Sequence, residues 1–212
     1  MSGIVYLLAG NPFVRGGKPD PAMRAFFKEL DSSLPRVAYI GAASGDDRAF
    51  FESMRVRLQA SGAGEVELAP LCGKAGGVGA AACRVLERAD AVFVSGGDVA
   101  EGMDVLRARD GVIACLRKRF EAGVPFMGLS AGSIMLARGW VRWADEENSS
   151  SDTLFDCLGF APLYCDVHDE GGGWGELRAL LDLLPEPTAG YAIRAGEAIR
   201  VENGVVTCAP SV

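Results

Sequence analysis

The chain has 212 residues, including 28 glycines, six cysteines and one histidine, and its 21 basic and 28 acidic side chains leave a net charge of −7. That length is most simply one domain over residues 1–212, and the acidic balance argues against nucleic acid or an anionic membrane surface as partner. A single imidazole, with cysteines at 72, 83, 115, 157, 165 and 208 that form no C-x-x-C pair, excludes the usual zinc arrangements, so no metal and no cofactor is expected.

The first apolar run, residues 4–9, has no basic stretch before it and is too short for a secretory segment, so it reads as a buried strand. No run approaches the ~18 apolar residues of a membrane span. Irregularly spaced cysteines then fit a reducing cytoplasm. Further short apolar runs follow at 36–40, 66–68, 91–94 and 125–129. Between them lie segments with helical periodicity, such as Met23, Phe26, Phe27 and Leu30, then Phe50, Phe51, Met54 and Leu58. Strands apolar throughout, separated by helices, predict an α/β fold: a doubly wound, mostly parallel sheet with helices on both faces.

Beyond residue 138 the pattern changes. Residues 139–143 read as a short strand, 144–151 as a polar stretch, and 163–167 as an extended run ending at His168. A helix is expected over 176–184, stopped by Pro185 and Pro187. Strands at 191–194, 198–201 and 205–208 follow, with Asn203-Gly204 as a hairpin turn.

In a doubly wound sheet the ligand site lies beyond the carboxyl ends of the strands. The residues there include Ser95-Gly96-Gly97-Asp98 and Gly128-Leu129-Ser130-Ala131-Gly132. The second is a G-x-S-x-G pattern between an apolar run and a segment that can start a helix, the context of a nucleophile elbow. The bland alternative is a glycine-rich turn after a buried strand. A serine hydroxyl needs a base to take its proton, and the one imidazole, His168, ends another extended run 38 residues on. Asp145, Glu146, Glu147, Asp152 and Asp156 lie between them, and most must simply solvate a loop. An α/β-hydrolase would need further strand and helix units between serine and acid, for which the interval from Ser130 to Asp145 has no room.

The motifs 89–98, 123–132, 158–162 leading to His168, and Gly175-Glu176-Leu177-Arg178 together make the chain similar to the serine peptidases of the dipeptidase E and cyanophycinase group. That resemblance implies a class I glutamine amidotransferase-like, flavodoxin-like fold with serine at the elbow. It implies Ser130 as nucleophile, His168 as general base, Asp145 as triad acid with Glu147 as the alternative, and the N–H groups of Gly97 and Ala131 as oxyanion hole. Arg178 matches a position implicated in carboxylate recognition. Asp169 and Glu170 depart from the group's pattern by adding acid beside the histidine. The resulting expectation is a serine peptidase of small peptides, with dipeptides bearing an amino-terminal aspartate as substrates. The alternatives are a cyanophycinase-like hydrolase of β-aspartyl bonds and a noncatalytic binding protein that kept the fold. A small peptide is the expected partner, with a homodimer left open. Trp140, Trp143 and Trp174 are read as core or rim packing, with cleft lining as the second option.

Overall fold

A strand covered on both faces must be apolar at successive positions rather than at alternate ones. β1 (Val5–Leu8), β2 (Val37–Ile40), β4 (Ala91–Val94) and β5 (Phe126–Leu129) are buried along their whole length, and β3 (Val66–Ala69) at its two ends. The computed structural model describes residues 3–12, 18–73, 77–143 and 152–208. Within it these five strands run parallel in the order β1-β5-β4-β2-β3, and β1 is extended on its free edge by the antiparallel pair β10 (Ala198–Glu202) and β11 (Val205–Cys208).

Period-two alternation sorts the side chains into two cores. Tyr6, Leu8, Tyr39, Phe93 and Met127 point to one side, where α1 (Pro21–Lys28) and α2 (Arg48–Ser61) bring Met23, Phe26, Met54 and Leu58 against them. Val5, Leu7, Ile40, Val94 and Phe126 point to the other. There α3 (Val78–Arg88), α4 (Val99–Arg107), α5 (Val112–Glu121) and α6 (Ala131–Leu136) contribute Leu86, Met103, Leu116 and Met135. Each such side chain removed from water contributes roughly 1.5–3 kcal/mol. Helix starts follow side-chain caps: Asp20 accepts from the N–H groups of Ala22 and Met23, and Asp98 from that of Glu101.

The doubly wound, mostly parallel fold expected from the sequence is the one observed, and two details differ. The run 163–167 is not part of the large sheet: β8 (Tyr164–Val167) pairs with β9 (Gly190–Ile193) as a separate two-stranded ribbon beside α6. A strand that the periodicity did not show, β7 (Thr153–Asp156), pairs antiparallel with β6 (Gly139–Arg142). β7 is largely exposed, so it lacks the apolar run that marks a buried strand. The late helix, α7, spans Gly175–Asp182. Among the described residues no helix is long and apolar enough to cross a membrane.

Candidate active site

Ser130 follows the last residue of β5 and precedes α6, with φ 53° and ψ −124°. A left-handed φ on a non-glycine residue costs of the order of 1–3 kcal/mol and survives only where the surroundings enforce it. Here they do. The Ser130 N–H donates to the Leu8 carbonyl at 2.8 Å, and the Ser133 N–H closes the turn on the Ser130 carbonyl at 2.8 Å. One turn on, the buried Ser133 hydroxyl donates to the Leu8 carbonyl and accepts from the Leu8 N–H, both at 2.9 Å. The motif's glycines are needed for close approach: a Cβ on Gly132 would lie 2.1 Å from the Val94 carbonyl oxygen, and one on Gly128 would lie 2.6 Å from that of Gly132. The serine is thereby lifted out of the sheet with its hydroxyl in a cleft of about 500 Å³.

His168 comes from the ribbon. Its N–H donates to the Ile193 carbonyl at 2.9 Å and its own φ is 49°. The ribbon is held to the end of α6 through Arg138, whose N–H donates to the Leu163 carbonyl at 2.9 Å, and through the packing of Cys165 beside Ser133. The outcome is an Oγ to Nε2 distance of 2.7 Å between Ser130 and His168, within hydrogen-bond reach for proton transfer. Among the described residues this is the ring's one side-chain hydrogen bond. Asp145, Glu146, Glu147 and Asn148 lie outside the described residues.

Gly97 and Ala131 flank Ser130 in the cleft lining. Among the described residues neither backbone N–H has an acceptor. Gly97 sits at φ 145°, and a Cβ there would lie 1.9 Å from the Ala43 carbonyl oxygen, so the loop takes this path only with glycine. The neighbouring Asp98 N–H ties the loop down on that same carbonyl at 2.9 Å.

The rest of the cleft is more charged than the sequence suggested. Arg142 enters from β6, paired with Asp104 at 2.7 Å and with its guanidinium 5.9 Å from the Phe155 ring centre. Trp140 and Trp143 line the cleft with their rings edge to face, while Trp174 packs on the core and is not in the lining. Asp166, Asp169 and Glu176 line the same cleft. Asp166 is 5% exposed, and its carboxyl is pushed up to about 6 by burial and by the charges of Glu176 and Asp169, against the lowering effect of the Val167 N–H. Desolvation at the cleft wall, with Asp169 adding to it, raises Glu176 as well. Arg178, two positions from Glu176 on α7, is exposed and is not part of the cleft lining; its guanidinium lies over Gly173. Arg142 and Asp166 were absent from the sequence-based site. An acid inside the otherwise apolar run 163–167 is the signal that marks Asp166; nothing in residues 139–143 marks Arg142.

A strained serine at the end of a central parallel strand, joined to a histidine and set beside backbone N–H groups that have no acceptor among the described residues, has the form of a nucleophile elbow. The family model for peptidase family S51 matches residues 6–209, and the chain belongs to that family. It is 34% identical over 128 residues to Peptidase E of Streptomyces coelicolor (strain ATCC BAA-471 / A3(2) / M145), covering 56% of this chain and 51% of that protein. The chain thus spans about half the length of this curated relative. Two solved structures share the fold at 17% identity. One is a peptidase from an acI-B1 Actinobacterium, with TM-score 0.72 over 98% of this chain and 88% of that one. The other is assigned to peptidase E in Listeria monocytogenes EGD-e, with TM-score 0.68 over 98% of each chain.

Proposed function

We propose that the protein is a serine peptidase that hydrolyses small peptides through an acyl-enzyme. The observation that carries this reading is the 2.7 Å contact between Ser130 Oγ and His168 Nε2, made by a serine held at positive φ. His168 takes the hydroxyl proton as Ser130 attacks the carbonyl carbon, then gives it to the leaving amine; water reverses the sequence to release the acid. The N–H groups of Gly97 and Ala131 stabilise the oxyanion. Asp145, or Glu147 in its place, orients the imidazole through Nδ1.

Dipeptides with an amino-terminal aspartate are the proposed substrates, following the resemblance to dipeptidase E. Arg142, the guanidinium that lines the cleft, suits their β-carboxylate better than Arg178. A cyanophycinase-like activity is the second reading, favoured by Asp98 in the Gly-Gly-Asp loop, and release of β-Asp-Arg from cyanophycin separates the two. Six free thiols support a reducing, cytoplasmic setting. The test is turnover of a panel of Asp-X and other short peptides by the wild type and by Ser130→Ala. Hydrolysis lost in the variant is the expected result, and full activity in Ser130→Ala overturns the reading.

A further inference from the structure

We propose that Cys83 and Cys115 form an oxidisable dithiol, a modification site between α3 and α5 that a peroxide converts to an intramolecular disulfide. The inference goes beyond the peptidase reading and does not rest on it, since neither cysteine lines the cleft.

The packing of the two helices sets the pair. On α3, Gly79 and Cys83 are one turn apart on one face; on α5, the N-cap residue Gly111 and Cys115 have the same spacing. The helices touch at the first of these levels. A Cβ on Gly79 would lie 2.6 Å from the Asp110 carbonyl oxygen, so glycine is what permits the approach. One turn further on, the Cys83 thiol donates to the Gly111 carbonyl at 3.8 Å, the same oxygen that accepts the Cys115 N–H at 2.8 Å. The Cys83 sulfur therefore stands over the turn that carries Cys115, and the Cys115 thiol is its hydrogen-bonding neighbour. Side chains that face each other across so close a helix contact have the arrangement a disulfide requires. Both thiols are half-buried, open to a small oxidant. Among the described residues the other thiols offer less: Cys165 is fully buried, Cys72 stands beside Asp46 and Arg109, and Cys208 is exposed on the edge strand β11.

One thiolate attacks a peroxide oxygen and breaks the O–O bond, giving a sulfenic acid and, after protonation, water. The second thiol loses its proton and attacks that sulfur, expelling hydroxide, which leaves as the second water. The two thiols thus give up two electrons and two protons, and hydrogen peroxide takes up both. Burial, then the Cys115 thiol and the charge of Glu87, push the Cys83 thiol up to about 12, which keeps it protonated and the reaction slow at neutral pH. The new bond closes residues 83–115 into a loop that contains β4, the Gly97 turn and α4. Tying that loop restrains the unfolded chain, so the oxidised protein resists heat better than the reduced one.

The test is peptide mapping by mass spectrometry, without reductant, of the reduced 212-residue protein after exposure to hydrogen peroxide. The expected product joins the Cys83 and Cys115 peptides, is lighter than their sum by two hydrogens, and disappears with dithiothreitol. The linked protein should melt roughly 5–10 °C higher than the reduced one. Cys83→Ser and Cys115→Ser should each abolish both the link and the rise, whereas Cys72→Ser should leave them unchanged. The wild-type map decides alone if a variant fails to fold. Four results overturn the proposal: the two cysteines still unlinked after the exposed thiols have reacted, either one carried to sulfinic acid without the bond, a bond to a different cysteine or to a second chain, or a linked protein that melts no higher than the reduced one.

Discussion

Ser130 leaves a strand flanked by hydrogen-bonded neighbours on both sides, β1 and β4, and buried at every position. His168 leaves one half of a two-stranded ribbon, whose partner β9 is exposed at Ala192 and only partly buried at Gly190 and Tyr191. The geometry of Ser130 therefore belongs to the whole sheet, and loosening it means loosening the core. His168 and the acidic side chains belong to a smaller unit resting on α6, so they can shift or change chemistry without rebuilding the elbow. One cleft combines a fixed serine with a replaceable wall.

The strongest way to break this contrast is to remove each partner in turn. Ser130→Ala and His168→Ala should each lower kcat by about 10⁴-fold or more, and the double variant should be little worse, because the pair acts as a unit. No second imidazole exists to substitute. Equal loss with unchanged melting curves is the expected outcome of steady-state kinetics and calorimetry. Gly97→Ala comes next. Its methyl would collide with the Ala43 carbonyl, so the loop proposed to bind the oxyanion must move, and a kcat loss of about 10²–10³ is expected.

Asp166 probes the wall rather than the elbow. Its folded carboxyl stands at about 6 against an ordinary value of 3.8, so the native state binds the proton more tightly than the unfolded chain does. Stability from this group is therefore fully present below about pH 4, is lost as pH rises through 6, and the deficit stays constant above that. Asp166→Asn keeps the acceptor for the Val167 N–H and removes the charge. It should be more stable than wild type at pH 7, by at most about 3 kcal/mol, and equal to it at pH 4. Thermal melts at the two pH values measure this, and a wild type that gains stability between pH 4 and 6 relative to the variant would contradict it. The smallest effects separate the two arginines. Arg142→Ala should reduce kcat/KM for Asp-X dipeptides by about tenfold, the worth of one charge-assisted hydrogen bond. Arg178→Ala should stay within about twofold, as an exposed side chain off the cleft.

The same division governs what was legible in the sequence. Strands β1, β2, β4 and β5 and the elbow could be read because burial on both faces leaves uninterrupted apolar runs, and because Gly128 and Gly132 answer a local steric demand. His168 could be named because it is the one histidine, but its seat on a separate ribbon could not, since apart from Asp166 residues 163–167 form an apolar run like those of the central strands. β7 left no trace because its side chains face solvent. Arg142 joins the cleft through tertiary contacts with Asp104 and Phe155, residues 38 positions before it and 13 after it, and no local pattern records such a meeting. Arg178 shows the converse: a motif names a residue type, and whether that residue lines the cleft is decided by the fold, which leaves Arg178 outside the lining.

A lone imidazole held 2.7 Å from a hydroxyl also makes the protein its own spectroscopic label. With one histidine in the chain, the ring carbons of that residue give a single imidazole signal set in a proton–carbon spectrum, with no assignment needed. Its titration in the wild type, followed in Ser130→Ala, Asp145→Asn and Glu147→Gln, reads out which groups touch the ring, before any substrate is known.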